Sequence, residues 1–308
     1  MSKHARIKPL GAHILDMKLE TKVNLESKYA IYFLRRHPMT LAGLVVVLIS
    51  IALIPMAPAL APYQPTLPDA TAILQPPSAE HLLGTDNVGM DILSRIIYAP
   101  RVDLVIGLTA TTISLLLGVP LGVLEGYFDG KRGLAGRLSG WLMRAMDVLQ
   151  AFPVFILALA LLGITGPNIF NIILVLAFLS TPVFMRLVRS SVLSLRERSY
   201  IEAARASGNN DLQIVFRHVL PNSLGPVLAQ ASVTVGWSIL LTAGLSFVGA
   251  GVRIPTPELG SMVSIGARNM ITGHWWPALF PGFAIGVIVL GFALMGDGLR
   301  EFMDPTKR

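Results

Sequence analysis

The chain has 308 residues, 53% of them hydrophobic and only 14% charged, with no cysteine and a formal net charge of +7. That balance lies outside the range of soluble domains and marks an integral membrane protein built from apolar helices. Without cysteine there is no disulfide framework, no cysteine-ligated zinc or iron–sulfur centre and no thiol nucleophile.

Residues 1–38 are polar and basic, and the stretch Lys28–Arg36 suits either a short helix at the membrane surface or a solvated tail. From Pro38 to Pro68 no charge occurs, and Thr40–Leu60 is long enough for a first span at roughly 20 residues per crossing. Ala57-Pro58-Ala59 mimics a signal-peptidase site, but the apolar run is too long for a signal peptide, so an uncleaved anchor is expected. In the loop Ala61–Arg101, the residues Met90, Leu93, Ile96 and Ile97 share one helical face, while Asp91 and Arg95 are spaced to pair at i, i+4. An amphipathic helix at the outer surface is expected there.

The second span covers Leu104–Val123, where Gly118, Gly122 and Gly126 recur every four residues around Pro120, a spacing that lets helix backbones approach closely. The third, Met143–Leu162, carries Pro153 inside it and an expected Arg144–Asp147 pair at its start. After a turn at Gly163–Asn168 the fourth runs over Ile169–Met185 and leads into Arg186 and Arg189. The fifth, Leu224–Val248, has a mildly polar face of Gln230, Thr234 and Trp237. A second long loop, Gly249–Trp276, ends on the interfacial pair Trp275-Trp276, and Pro277–Met295 is the sixth span.

With both termini cytoplasmic, only Arg95, Arg101, Arg253 and Arg268 fall outside, leaving 21 of the 25 Lys and Arg inside. Six spans in that orientation satisfy the positive-inside rule. The positive charge is then topology, and nucleic-acid binding loses its support.

Chemistry is sparse. The six histidines are scattered with no His-Glu-x-x-His, so no metal site is expected. Gly244-Leu245-Ser246 lacks the closing glycine of a serine nucleophile elbow, since Val248 stands there. Gly130-Lys131 lacks the rest of a phosphate loop, with Glu125 at the first glycine and Arg132 at the Ser/Thr. Asp103, Arg144, Asp147 and Asp297 all lie near predicted span ends, and no broken helix or mid-membrane charge of an ion-coupled carrier is expected.

The long polar segment is Tyr200–Asn222. Ser199 and Glu202 have capping-box spacing, Ala203, Ala204 and Ala206 continue a helix, and Gly208 suits its end. Asn210 with Gln213 caps a second helix that Pro221 is expected to close. Two short helices with a small, approachable surface suit a docking knob for another protein, and equally a loop lying on lipid.

Glu202-Ala203-Ala204, Gly208 and Leu220-Pro221, in this spacing, resemble the EAA motif of permease subunits of binding-protein-dependent ABC importers. His81-Leu82-Leu83-Gly84-Thr85-Asp86, Asp91 to Arg95, Gly126-Tyr127 and Gly296 to Arg300 resemble the C-type dipeptide/oligopeptide/nickel branch. Departures are His218 for isoleucine, Met90 for arginine, Ala99-Pro100 for Gly-Ala and Ala293 for asparagine.

The resemblance implies an all-α permease of the type I importer architecture with six transmembrane helices, in a prokaryotic inner membrane. Its parts would be a tail over 1–38, a first helix and outer loop over 39–101, a five-helix core over 102–300 with the coupling loop 186–222, and a tail over 301–308. It further implies a heterodimer with a second permease, two cytoplasmic ATPases that hold ATP and magnesium, and an extracytoplasmic solute-binding protein. Tyr200, Glu202, Ala203, Ala204, Arg205, Gly208, Leu220 and Pro221 would face the ATPase, and a bulky residue at 208 would be worse than loss of Glu202. His81, Gly84, Thr85, Asp86, Asp91, Arg95 and Arg101 would serve outer contacts. Gln150, Gln230 and Thr234 would line the path or serve as packing hydrogen bonds. Di- or oligopeptides are the first expected solute, ahead of nickel chelates and oligosaccharides. The rival readings are a self-sufficient carrier or channel and a membrane-embedded hydrolase.

Overall fold

The computed structural model describes residues 32–130 and 134–303. The tail expectations for 1–31 and 304–308, and those for Lys131 and Arg132, lie outside them. Among the described residues there is no strand; five helices are long and apolar enough to span a membrane, and a bent pair brings the number to six.

The first, α1 (Pro38–Leu60), opens on a proline whose missing N–H costs nothing in a first turn. A short α2 (Ile92–Tyr98) leads with almost no break into α3 (Pro100–Phe128). Next come α4 (Leu134–Ala151) and α5 (Val154–Thr165), then α6 (Ile169–Arg196), whose N-cap Asn168 accepts from the Asn171 N–H at 2.9 Å. The polar segment forms α7 (Ser199–Ala206), α8 (Asp211–Ile214) and a π-helical turn over Val215–Val219. The chain closes with α9 (Leu220–Phe247), α10 (Leu259–Asn269) and α11 (Trp276–Phe302).

One close helix pair and one group of three hold the bundle. The predicted glycine row on α3 lies against α6: a Cβ on Gly122 would stand 2.5 Å from the Met185 carbonyl oxygen, and one on Gly118 2.7 Å from that of Thr181. On the other side α11 packs between α9 and α1, with the Ser232 hydroxyl donating to the Phe292 carbonyl at 2.6 Å. Val47 of α1 joins Val235 and Ile239 of α9 and Ile285, Ile288 and Phe292 of α11 in one buried cluster. Leu41, Val45, Leu48 and Ile49 on the rest of α1 stay exposed, as a lipid-facing surface requires.

Phe33 meets Phe302 edge-on with ring centres 5.3 Å apart, and His37 lies 3.2 Å from Glu301, so the start of α1 and the end of α11 share one end of the bundle. Gly225 faces Met303 there, and Arg196 donates to the Gly126 and Asp129 carbonyls, so the 199–225 segment belongs to the same end. The opposite end carries 61–99 and 249–276, joined where the Trp276 indole N–H donates to the Thr85 carbonyl at 3.2 Å.

Several expectations change. The third span is broken: the helices on either side of Pro153 meet at 94°, because proline removes an N–H and holds Phe152 out of helical geometry. Arg144 and Asp147 do not pair. Arg144 sits 5.6 Å over the Trp141 ring, while Asp147 reaches across to Arg186. The fourth helix does not stop at Met185; it runs on to Arg196, so the expected loop from 186 is helical for its first eleven residues. Pro221 opens α9 rather than closing a helix, since a first-turn proline is compatible with helix and the π-turn before it carries the chain through. The 249–276 loop contains α10, which sequence periodicity did not reveal.

Candidate functional site

Three places matter: the polar knob, the cap at the other end, and a cavity between them.

The knob is anchored from below. Ile201, Ile214, Val215 and Val219 are buried against Val123, Tyr127, Phe184, Val188 and Val192. The segment is therefore packed on the bundle and does not hang from it. Ser199 does not cap α7; Arg198 holds the N-cap position and no side chain serves it. The Asn210–Gln213 capping box is complete, with Asn210 Oδ1 accepting from the Gln213 N–H at 2.8 Å and Gln213 Oε1 from the Asn210 N–H at 2.9 Å. Gly208 is left-handed at φ +87, and a Cβ there would meet nothing within 4 Å.

The cost of a side chain at position 208 is therefore backbone strain in the turn, as expected from the sequence, with no steric clash added. Gly208→Ala and Gly208→Val are both expected to loosen the segment by about 1 kcal/mol, with Gly208→Asn milder. Hydrogen exchange of the amides of 200–222 would read it.

Tyr200, Glu202, Ala203, Arg205, Gly208 and Pro221 are exposed, while Ala204 and Leu220 are partly covered. Leu212 and Phe216 join that face, 62% and 65% exposed, although nothing in the motif points to them. The available signal is their place beside Ile214 and Val215: a segment this short cannot bury four apolar residues out of five, Leu212 to Phe216, against one surface.

Beneath the knob, buried Glu125 of α3 ion-pairs with Arg189 of α6, which also meets Asp129 at 3.1 Å. Ser139 of α4 donates to the Glu125 carbonyl at 3.2 Å, so three helices converge on that point. In the sequence Glu125 stands out only as the residue in place of a phosphate loop's first glycine.

At the opposite end the expected Asp91–Arg95 pair is absent. Asp91 caps α2 instead, accepting from the Ser94 N–H at 2.8 Å and facing His81 Nδ1 at 3.0 Å. Arg95 is 1% exposed, donates to the carbonyls of Pro65 at 2.8 Å and Pro255 at 3.3 Å, and lies 3.9 Å from Asp86. Asp86 also accepts from the Val88 and Met90 N–H groups. His81, Gly84, Thr85, Asp86, Asp91 and Arg95 are all buried within the chain, so they build the cap and do not form its outer face; Arg101 is exposed. The helix expected on the outer surface is interior because the two long loops close over it.

Glu258, wholly buried, caps α10 by accepting from the Gly260 and Ser261 N–H groups at 2.8 and 2.7 Å. Burial pushes its carboxyl above the ordinary range, against the pull of those donors. Asp103 at the start of α3 accepts from the Leu259 N–H at 3.4 Å, pinning α10 to the bundle.

A cavity of about 600 Å³ lies between α4, α5, α6 and α9, lined by Gln150, Phe152, Ser180, Arg186, Gln230 and Thr234 among others. All three residues expected on a path are therefore brought together. The Gln230 amide lies 3.4 Å from the Thr234 hydroxyl. The break at Pro153 opens this space by swinging α4 away from the line of α5, and interrupted spans often build such sites in transporters. The size is that of a small-molecule site, about 300–1,000 Å³. Among the described residues no group of three or more His, Asp or Glu is placed to hold a metal.

A helical permease fold, with a packed knob at one end and a cavity inside, defines the class. Residues 114–308 match the family described as binding-protein-dependent transport system inner membrane component, and residues 27–77 match the N-terminal TM domain of oligopeptide transport permease C. The chain belongs to this family and is a multi-pass inner-membrane permease of binding-protein-dependent ABC importers.

Similar proteins include the dipeptide transport system permease protein DppC of Alkalihalophilus pseudofirmus, 41% identical over 89% of this chain and 88% of that one. The probable D,D-dipeptide transport system permease protein DdpC of Escherichia coli is 37% identical over 89% and 90%. The glutathione transport system permease protein GsiD of Pectobacterium atrosepticum is 40% identical over 89% and 88%. In fold, the chain is similar to a chain of the inward-facing MetNI methionine ABC transporter, with a TM-score of 0.58 at 21% identity over 69% of this chain and 98% of that one. Family membership sets aside the self-sufficient carrier, even though the broken span it called for is present.

Proposed function

We propose that this permease forms half of a translocation path for peptides, beside a second, different permease, and is driven by two ATPases docked on the 200–222 knob. The knob end faces the cytoplasm together with both chain termini, and ATP and magnesium are held by the ATPases. The capped end meets the solute-binding protein, with Arg101 among its exposed charges. The observation that carries the reading is the knob itself: Tyr200, Leu212 and Phe216 stand exposed on a base whose Ile201, Ile214 and Val219 are fully buried. A rigid apolar face with a charged neighbour, Glu202, is the make-up of a protein contact.

Peptides are supported as the solute class by the permeases of dipeptide and glutathione systems among the relatives, and by the mixed lining of the cavity. Backbone amides of a short peptide would be served by Gln150, Gln230 and Thr234, and its apolar side chains by Phe152, Leu157 and Trp237.

The test is capture of the cognate ATPase by the permease pair in nanodiscs. Leu212→Asp with Phe216→Asp is expected to weaken it by roughly 30-fold or more, the size of an interface hot spot. Capture unchanged in that variant overturns the reading.

A further inference from the structure

The knob's two helices meet at Gly208, where the turn is open on all sides within 4 Å of a Cβ. The turn is closed by Asn209, whose backbone N–H and Nδ2 both donate to the Ala204 carbonyl, at 3.2 and 3.0 Å, while no side chain packs against position 208. A second tie between the two helices is found below, at the end of α3. Tyr127 is 1% exposed, with its ring in the cluster of Phe184, Val188, Ile201 and Ile214. Its hydroxyl donates to Asp211 Oδ1 at 2.5 Å and accepts from Arg205 Nη2 at 3.5 Å. Arg205 lies in the last turn of α7 and Asp211 in the first turn of α8. One phenol thus touches both helices of the knob, on the two sides of the open turn, from a helix of the bundle.

We infer that Tyr127 is the strut that passes movement of the knob into α3, a positioning residue for coupling that rests on the proposed docking of an ATPase there. The route onward is rigid. The glycine row of α3 holds it against the α6 backbone, and α6 supplies Phe178, Ser180, Val183 and Arg186 to the cavity wall. The apolar base under Ile201 and Ile214 resists lifting of the knob, but apolar contact is non-directional and permits sliding. Hydrogen bonds to a carboxylate and a guanidinium are directional, and charge-assisted ones are the stronger kind. Removing the hydroxyl alone, as in Tyr127→Phe, keeps the ring packing and deletes only the directional tie.

The experiment uses the complete transporter in liposomes, with both permeases, the ATPases, the binding protein and a radiolabelled dipeptide. Tyr127→Phe is expected to capture the ATPase, because Leu212 and Phe216 are untouched, while dipeptide moved per ATP hydrolysed falls about ten-fold, the worth of a hydrogen bond to a charged group. Asp211→Asn lowers the same ratio, and the double variant is no worse than Tyr127→Phe alone, as two ends of one tie require. Asp211→Glu restores part of the ratio lost in Asp211→Asn. A structural role alone would lower thermal stability and leave the ratio intact; that result, or additive losses in the double variant, overturns the inference. Capture surviving Leu212→Asp with Phe216→Asp would instead sink the docking reading, so the two failures are told apart.

Discussion

Gly122→Leu is expected to yield little folded protein, because the helix pair at the centre of the bundle cannot close around it. A Cβ at position 122 would stand 2.5 Å from the Met185 carbonyl oxygen and 2.9 Å from the Val188 Cβ. Neither neighbour is the end of a flexible side chain, so rotamer changes give no relief and α3 must move off α6. Each overpacked site costs about 1–3 kcal/mol, and a leucine here forces the upper end or beyond. The displacement also carries away Tyr127 and Glu125, which lie on the same helix beneath the knob. Gly286→Leu is the matched control: it is in the middle of α11, and its Cβ meets nothing within 4 Å. Fluorescence-detected size exclusion after heating should show Gly122→Leu aggregated at temperatures where Gly286→Leu behaves as the wild type. Equal melting of the two would refute the close-packing account.

The second large effect is expected at Glu125. Its side chain is 1% exposed and ion-pairs with Arg189, whose own side chain is 29% exposed. Glu125→Ala leaves that guanidinium with Asp129 alone, in a place where its desolvation is already incurred. Breaking a buried pair costs about 3–5 kcal/mol, and the partial exposure of Arg189 sets the expectation near 3. By contrast the Asp147–Arg186 pair, with side chains 55% and 43% exposed, is worth at most about 1 kcal/mol, and Asp147→Asn should pass nearly unnoticed in the same melt. If Glu125→Ala and Asp147→Asn shift the melting point alike, burial is not what distinguishes them.

Much of the fold was legible because a bilayer imposes a simple rule on sequence: runs of about 20 apolar residues must become helices. The glycine row on α3 was readable for the same reason, since its four-residue period matches one helical face, and it meets the partner that such a face implies. The span ends were less readable. Helix α6 continues through Arg186 and Arg189 to Arg196, because a helix leaving the membrane keeps its hydrogen bonds whether its side chains face lipid or water. Pro153 was visible, but whether it kinks or breaks a span depends on what fills the gap, and here a cavity does.

Asp91 and Arg95 show the limit more sharply. Their i, i+4 spacing is real, yet Asp91 serves the α2 N-terminus and His81, and Arg95 turns to Pro65, Asp86 and Pro255. Pro255 lies 160 positions away in the chain. No local pattern predicts that a second loop will close over the first and supply better partners. Glu125 and Arg189, Tyr127 and Asp211, and Trp276 and Thr85 are likewise joined only by folding.

By itself, then, the sequence determined the class: membrane-spanning helices, their approximate places, the polar knob and its glycine turn, and the permease family through the residues from Glu202 to Pro221. The helices, their places and the glycine turn follow from local composition and short-range periodicity; the family follows from the resemblance of that motif. The tertiary structure alone decided what the polar residues do, because a buried hydrogen bond or ion pair depends on which distant segment arrives with the complementary atom. It moved six expected contact residues into the interior of the cap, added Leu212 and Phe216 to the knob's face, and gathered Gln150, Gln230 and Thr234 around one cavity.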